Sequence, residues 1–153
     1  FNMICNEVPG SRFLDLFAGS GGIGIEALSR GAEHVVFVDK NRAAVQCIRK
    51  NLEQVKMSGD ATVLQTEAVD AIAQLERKKE QFNVIFMDPP YDCFLEKQAL
   101  LRLKGSSIVT EDTLIIVEAS LTTDFDYLEE SGYLICKDKL YKTNHHVFIR
   151  RKE

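Results

Sequence analysis

A chain of 153 residues that is 45% hydrophobic and 27% charged is long enough to enclose one sizeable core and too well mixed in charge for a disordered tail. No stretch approaches the ~20 apolar residues of a membrane span, and the start, Phe1 to Glu7, has no basic region before an apolar one, so neither a spanning segment nor a targeting signal is expected. The net charge of −4 excludes recognition of nucleic acid through a general basic surface; any such contact must be local.

Apolar runs bounded by turn residues alternate with segments of helical period, the pattern of βαβ units and a largely parallel sheet. In chain order the spacing predicts a strand at Arg12–Phe17, a helix at Ile23–Arg30, a strand at His34–Asp39 and a helix at Asn41–Met57. A strand at Ala61–Thr66, a helix at Val69–Lys79, a strand at Phe82–Met87, a helix at Phe94–Leu103 and a strand at Thr113–Glu118 follow. In the second helix Ala44, Ile48 and Leu52 recur at steps of four, which makes it an amphipathic crossover. The pattern then changes. Tyr133–Tyr141 and His145–Arg150 are strand-like runs separated only by residues 142–144, and so short a link permits only an antiparallel hairpin. Residues 1–153 read as a single domain. The four cysteines, Cys5, Cys47, Cys93 and Cys136, are scattered without a C-x-x-C pair, which predicts reduced, mostly buried thiols in a cytoplasmic protein and no metal site.

The most informative stretch runs from Phe13 to Leu28, where a strand enters a glycine-rich turn and then a helix. Gly19, Gly21 and Gly24 give the G-x-G-x-x-G spacing, in which glycine lets the backbone turn tightly and approach a ligand. That spacing alone also fits a tight turn with no ligand. Asp15 chooses among cofactors: a carboxylate here would repel the pyrophosphate of a dinucleotide, but it suits S-adenosylmethionine, which has no phosphate and carries an ammonium and a sulfonium. The same carboxylate is equally compatible with capping the turn. Asp39, at the end of the second strand, is placed to accept hydrogen bonds from both ribose hydroxyls, or else to cap the following helix. After the third strand, Glu67 and the Ala68 amide are candidates to face an adenine ring, although Glu67 and Asp70 also fit as acids of a first helical turn.

The fourth strand runs directly into Asp88-Pro89-Pro90-Tyr91. Two prolines stop the strand, remove two donors and restrict φ, leaving a stiff loop that displays carbonyl oxygens. Acceptors are what an amino-group substrate needs. The Asp88 carboxylate and Pro89 carbonyl match the two N–H bonds of an aryl amine, and Tyr91 offers a ring on which a base stacks. The lone pair of such an amine is delocalised into its ring, so holding it in line with a methyl group carries most of the rate, and Asp88 need not be a strong base. An ordinary Pro-Pro turn closing a buried strand is the alternative.

With the glycine loop, Val38-Asp39, Asp88-Pro89-Pro90-Tyr91 and Val117-Glu118 taken together, the chain resembles the RsmD-like family of bacterial 16S rRNA guanine-N2 methyltransferases along essentially its whole length. The resemblance implies an α/β, Rossmann-like class I methyltransferase fold: a seven-stranded, mostly parallel sheet with helices on both faces and a C-terminal antiparallel hairpin. It implies S-adenosylmethionine as cofactor, with Asp15, Gly19, Gly21 and Asp39 as contacts; Phe17, Ala18, Ser20, Gly24, Lys40, Glu67 and Ala68 are further candidate binding residues in the same loops. Asp88, Pro89, Pro90 and Tyr91 become the methyl-transfer loop. The implied partner is RNA, a guanine of 16S rRNA either free or within a small-subunit particle. Two departures stand out. The family's basic amino-terminal segment is not present ahead of Phe1-Asn2, and the hairpin carries an adjacent His145-His146 pair. Neighbouring strand residues point to opposite faces, so one buried and one exposed histidine are expected, with no shared metal and no catalytic role for these or for His34.

Three rival functions remain in view. DNA adenine-N6 and cytosine-N4 methyltransferases use the same form of loop but usually add a target-recognition region, for which a catalytic core of this length leaves no room. A nicotinamide dehydrogenase conflicts with Asp15 and lacks a catalytic partner set. An inert cofactor-binding subunit conflicts with the intact residues 88–91. Lys137, Lys139, Lys142, Arg150, Arg151 and Lys152 are the candidate RNA cations, diluted by Glu129, Glu130 and Asp138.

Overall fold

The computed structural model describes residues 4–90 and 93–152. Its strands are β1 (Arg12–Asp15), β2 (His34–Asp39), β3 (Ala61–Gln65), β4 (Phe82–Met87), β5 (Val109–Ser120), β6 (Tyr133–Leu140) and β7 (Asn144–Arg151). They form one seven-stranded sheet in the order β3-β2-β1-β4-β5-β7-β6. β1 to β5 pair in parallel, whereas β7 runs antiparallel between β5 and β6. The expected fold is therefore observed. The helices are α1 (Gly22–Ser29), α2 (Arg42–Gln54), α3 (Ala68–Arg77) and α4 (Leu95–Leu103).

Strand alternation splits the core in two. Leu14, Val36, Ile85, Ile115 and Val147 pack against Ala71, Ile72 and Leu75 of α3 and Ala99, Leu100 and Leu103 of α4. Phe13, Val35, Phe37, Phe86, Ile116 and Phe148 pack on the other face against Ala27 and Leu28 of α1, Ile48 and Leu52 of α2, and Ile4 and Val8. Both faces of the inner strands β1, β2 and β4 are thus buried, which is why their sequences read as nearly continuous apolar runs, whereas the edge strand β3 is only partly covered. No helix among the described residues is long and apolar enough to cross a membrane.

Several details differ from the sequence pattern. β5 starts at Val109, not Thr113, because the β4–β5 register shifts between Phe82 and Val84. Thr113 Oγ1 donates to the Phe82 carbonyl and accepts from the Thr110 amide, holding the irregularity. The exposed Glu111 and Asp112 lie at that irregularity and concealed the strand's start. On α2 the buried stripe is Val45, Ile48 and Leu52, while Ala44 is only partly covered. All four cysteines are exposed, not mostly buried. Cys47 precedes the inward Ile48 and points off the stripe, Cys136 lies on the edge strand β6, and Cys5 and Cys93 lie outside helices and strands. His145 is buried and its ring meets Phe125 edge-on at 5.6 Å. His146 faces the other side, but its side chain is 25% exposed because Glu118 covers it.

Candidate active site

Parallel strands end at a common edge, and there the sheet presents a row of acids from adjoining strands. Asp39 closes β2, Asp15 closes β1, Asp88 follows β4, and Glu118 lies near the end of β5. The loops after these strands surround a cavity of about 650 Å³, within the size range of small-molecule sites. Its wall includes Leu16, Phe17, Gly19, Asp39, Lys40, Thr66, Glu67, Ala68 and Val69 on one side and Asp88, Pro89, Pro90 and Glu118 on the other. Leu95, Gln98 and Ala99 of α4 complete it.

The glycine loop is shaped at two distinct positions. Gly19 adopts a φ of 56°, left-handed backbone that favours glycine, although a Cβ there would meet nothing within 4 Å. At Gly24 the reason is space: a Cβ would stand 2.3 Å from Phe37 Cε2 and 2.9 Å from Val35 Cγ1, so α1 can lie this close on β2 only with glycine. The Asn51 side chain of α2 donates to the Ser20 carbonyl at 3.0 Å and steadies the loop from outside. Phe17, Gly19, Asp39, Lys40, Glu67, Ala68, Asp88, Pro89 and Pro90 are therefore brought together around one cavity. Asp15, Ala18, Ser20, Gly21 and Gly24 are not part of the lining. Tyr91 lies outside the described residues.

Asp39 accepts the Gly19 amide on Oδ2 and the Asn41 amide on Oδ1, both at 2.9 Å. The helix-capping role is filled by its neighbour: Asn41 Oδ1 accepts from the Ala43 and Ala44 amides at the start of α2. Asp39 therefore remains on the cavity wall with each oxygen held by one amide. Glu67 stands at the N-cap of α3 without a side-chain capping bond, and it too lines the cavity.

Asp15 is only 1% exposed, and neither carboxylate oxygen makes a well-formed hydrogen bond, the Phe17 and Gly24 amides lying near it without ideal geometry. Burial pushes its pKa up to about 7; the amides of Phe17 and Gly24 oppose the shift, and the negative charges of Asp88 and Asp39 add to it. An unpartnered buried carboxylate is costly unless a cation or donor arrives, so the site fits a positively charged ligand. The amides of the turn, those of Phe17 and Gly24, offset only part of that cost.

Asp88, Glu118 and His146 form a cluster on adjoining strands. Met87 pairs with Val117, which brings the next residues, Asp88 and Glu118, side by side; Glu118 in turn pairs with His146. His146 Nε2 and Glu118 Oε1 lie within hydrogen-bond distance of each other, at 2.7 Å. The pKa of Asp88 is pushed upwards, first by loss of hydration and then by a hydrogen bond with Glu118 and its like charge. His146 is pushed down by burial, while Asp88 draws it back up. Sequence reasoning gave no role to Glu118, Leu95, Gln98 or His146. The i, i+3, i+4 spacing of Leu95, Gln98 and Ala99 marks one helical face, but nothing local in sequence joins residues 118 and 146 to residue 88.

A model of the family described as conserved hypothetical protein 95 matches residues 1–150. The chain belongs to that family, the RsmD family. Among its relatives, YlbH of Bacillus subtilis is 42% identical over 118 residues, which is 77% of this chain and 64% of YlbH. Ribosomal RNA small subunit methyltransferase D of Haemophilus influenzae is 32% identical over 140 residues, 91% of this chain and 71% of that protein. A solved structure from Streptococcus pyogenes, described as a conserved hypothetical protein, superposes with a TM-score of 0.88 at 34% identity, covering 99% of this chain and 92% of that one. The chain spans only part of the length of these two relatives, 64% and 71%.

Proposed function

We propose that this RsmD-family chain transfers a methyl group from S-adenosylmethionine to the exocyclic N2 of a guanine in small-subunit rRNA, acting in the cytoplasm on RNA that is free or within a particle. The observation that carries the reading is the buried Asp15 carboxylate, which precedes the cavity-lining Leu16 and feels the charges of the lining acids Asp39 and Asp88, beside a wall that carries Asp88-Pro89-Pro90. The names of relatives such as ribosomal RNA small subunit methyltransferase D support the choice of RNA.

Asp15 answers the positive charge of the cofactor's amino-acid portion, and the second lone pairs of Asp39 receive the ribose hydroxyls. Ala18, Ser20, Gly21 and Gly24 build the turn that brings Phe17 and Gly19 to the ligand, and Lys40, Glu67 and Ala68 border the adenine side. When bound, S-adenosylmethionine supplies an electrophilic methyl group. Asp88 and the Pro89 carbonyl orient the target amine, and Tyr91 is assigned the stacking of the base. The stiffness of the Pro89-Pro90 pair keeps these acceptors in place without further reorganisation.

The test is tritiated-methyl transfer from S-adenosylmethionine to small subunits, naked 16S rRNA and duplex DNA, followed by nucleoside analysis. The expected product is N2-methylguanosine. Label in N6-methyladenine or N4-methylcytosine of DNA would instead select the DNA amino-methyltransferase reading.

A further inference from the structure

We propose that Glu118 and His146 form an exit route for the proton that the methylated amine gives up, leading from Asp88 in the cavity to the surface of the β5–β7 pair. The inference rests on the function proposed above and goes beyond its orientation of the amine. Three observations carry it. Asp88 and Glu118 both line the cavity. The sheet register sets Asp88, Glu118 and His146 on three neighbouring strands, with the 2.7 Å bond between the last two. His146 is also half-buried beside a more exposed ring, with Tyr141 at a centroid distance of 4.7 Å, so the far end of the route reaches solvent.

The step balances simply. As the nitrogen–methyl bond forms, the sulfur–methyl bond breaks and the electron pair stays on sulfur; the nitrogen then carries the positive charge and an acidic N–H. That proton passes to the Asp88 carboxylate. Asp88 hands a proton to Glu118, Glu118 passes one to the unprotonated Nε2 of His146, and the resulting imidazolium releases its other ring proton to water. Two adjoining carboxylates cannot both hold charge cheaply, so the pair retains a proton readily and releases it when the imidazole is free to take one. Among the described residues, the groups facing this route are Asp15 beside Asp88, His145 on the histidine's own strand, and Lys139, which pairs with His146 across β6–β7 and lies 6.0 Å from the Tyr141 ring centroid.

Two variants and one spectroscopic measurement test the route. With wild-type chain active on rRNA, His146→Ala is expected to lower kcat by roughly 10-fold or more with KM and cofactor affinity little changed, and added imidazole should restore part of the loss. Glu118→Gln removes the like charge beside Asp88, so the acidic limb of the kcat profile should move to lower pH. Unchanged kcat in His146→Ala, or an acidic limb that stays in place in Glu118→Gln, would overturn the proposal. In the chain without cofactor, nitrogen-15 NMR of His146 should show a second inflection from the carboxylates that disappears in Glu118→Gln; a single, unaltered inflection also counts against it. If wild-type chain transfers no methyl to any nucleic acid, the proposed function fails, and the NMR result alone decides whether the three groups titrate together.

Discussion

The Gly19 amide donates to Asp39 Oδ2 at 2.9 Å, tying the loop after β1 to the end of β2. The Asn41 amide holds the other oxygen, so this carboxylate both shapes the glycine loop and offers its remaining lone pairs to the cavity. Asp39→Ala is expected to weaken binding of S-adenosylhomocysteine by roughly 2–4 kcal/mol, from lost charge-assisted bonds and a loosened Gly19. Asp39→Asn, which keeps one carbonyl oxygen, should lose less. Calorimetry giving wild-type affinity for Asp39→Ala would remove the ribose assignment.

Asp15 makes the fold pay for its site in a pH-dependent way. Its folded pKa, about 7, lies above the usual carboxylate value of 3.8. Between these values the unfolded chain has released a proton that the folded chain still holds, so stability falls as pH rises through this window and the full penalty is present above about pH 7. Asp15→Asn removes that dependence. The buried amide has its own pH-independent cost, so the informative quantity is the change in the stability gap between variant and wild type from pH 4 to pH 8. This change should favour the variant by roughly 2–4 kcal/mol in urea titrations. A constant gap would show that Asp15 is ionised in the folded chain throughout.

A cationic ligand should pull the Asp15 pKa back down. Binding of S-adenosylmethionine near pH 6 is then expected to release a proton, and affinity should rise with pH until about 7. Calorimetry in two buffers of different ionisation enthalpy reads the proton directly. Identical observed enthalpies in both buffers would argue that the ligand's positive charge lies elsewhere.

The parts of the fold that repeat with a local period were legible in the sequence. β2 and β4 matched their expected bounds, since each is an apolar run closed by an acid or a proline, and the hairpin followed from its short link. The sheet order came only through family resemblance. The early start of β5 stayed hidden because a register irregularity interrupts alternation, and the exposed cysteines were misjudged because composition reports the average habit of a residue type and not its place on a helix or edge strand. Asp15, Asp39 and Asp88 stand out in the sequence as candidates because each ends or follows a strand beside a recognisable loop. Glu118 and His146 acquire meaning only across neighbouring strands, a relationship that no sequence window contains.

Gly24 separates packing from ligand contact within the glycine motif. It is not on the cavity wall, yet its missing side chain lets α1 approach Phe37, which is fully buried with no space to retreat. A methyl group 2.3 Å from Phe37 Cε2 must displace the ring or the helix. Gly24→Ala is therefore expected to destabilise the chain by about 1–3 kcal/mol, even though alanine favours helix more than glycine does. Gly19→Ala, with open space but a left-handed backbone, should cost about 1 kcal/mol and act mainly on ligand affinity. Urea unfolding of both variants, together with cofactor titration, checks the division. Equal stability losses with equal losses of affinity would show that the two glycines do the same job.

The wall formed by α4 depends on an ion pair remote from the cavity. Arg102 of α4 donates to Glu76 of α3 through Nη1 at 3.0 Å, and Ser106 Oγ donates to the same carboxylate at 2.6 Å. These bonds hold Glu76 below its ordinary pKa, the Arg102 hydrogen bond first and Ser106 second. A depressed folded pKa contributes stability that is present above the unfolded value and lost as pH falls through the folded one. Side chains 24% and 36% exposed are partly screened, so Glu76→Ala should cost only about 1 kcal/mol at pH 7, with the gap to wild type closing as pH falls below the ordinary carboxylate value of 4.5. Because α4 also supplies Leu95, Gln98 and Ala99 to the cavity, the same variant should bind cofactor or substrate less well at pH 7. Chemical denaturation at pH 3.5 and 7, with ligand titration at the higher pH, measures both effects. A stability gap that widens in acid would show that the carboxylate is not held by Arg102 and Ser106.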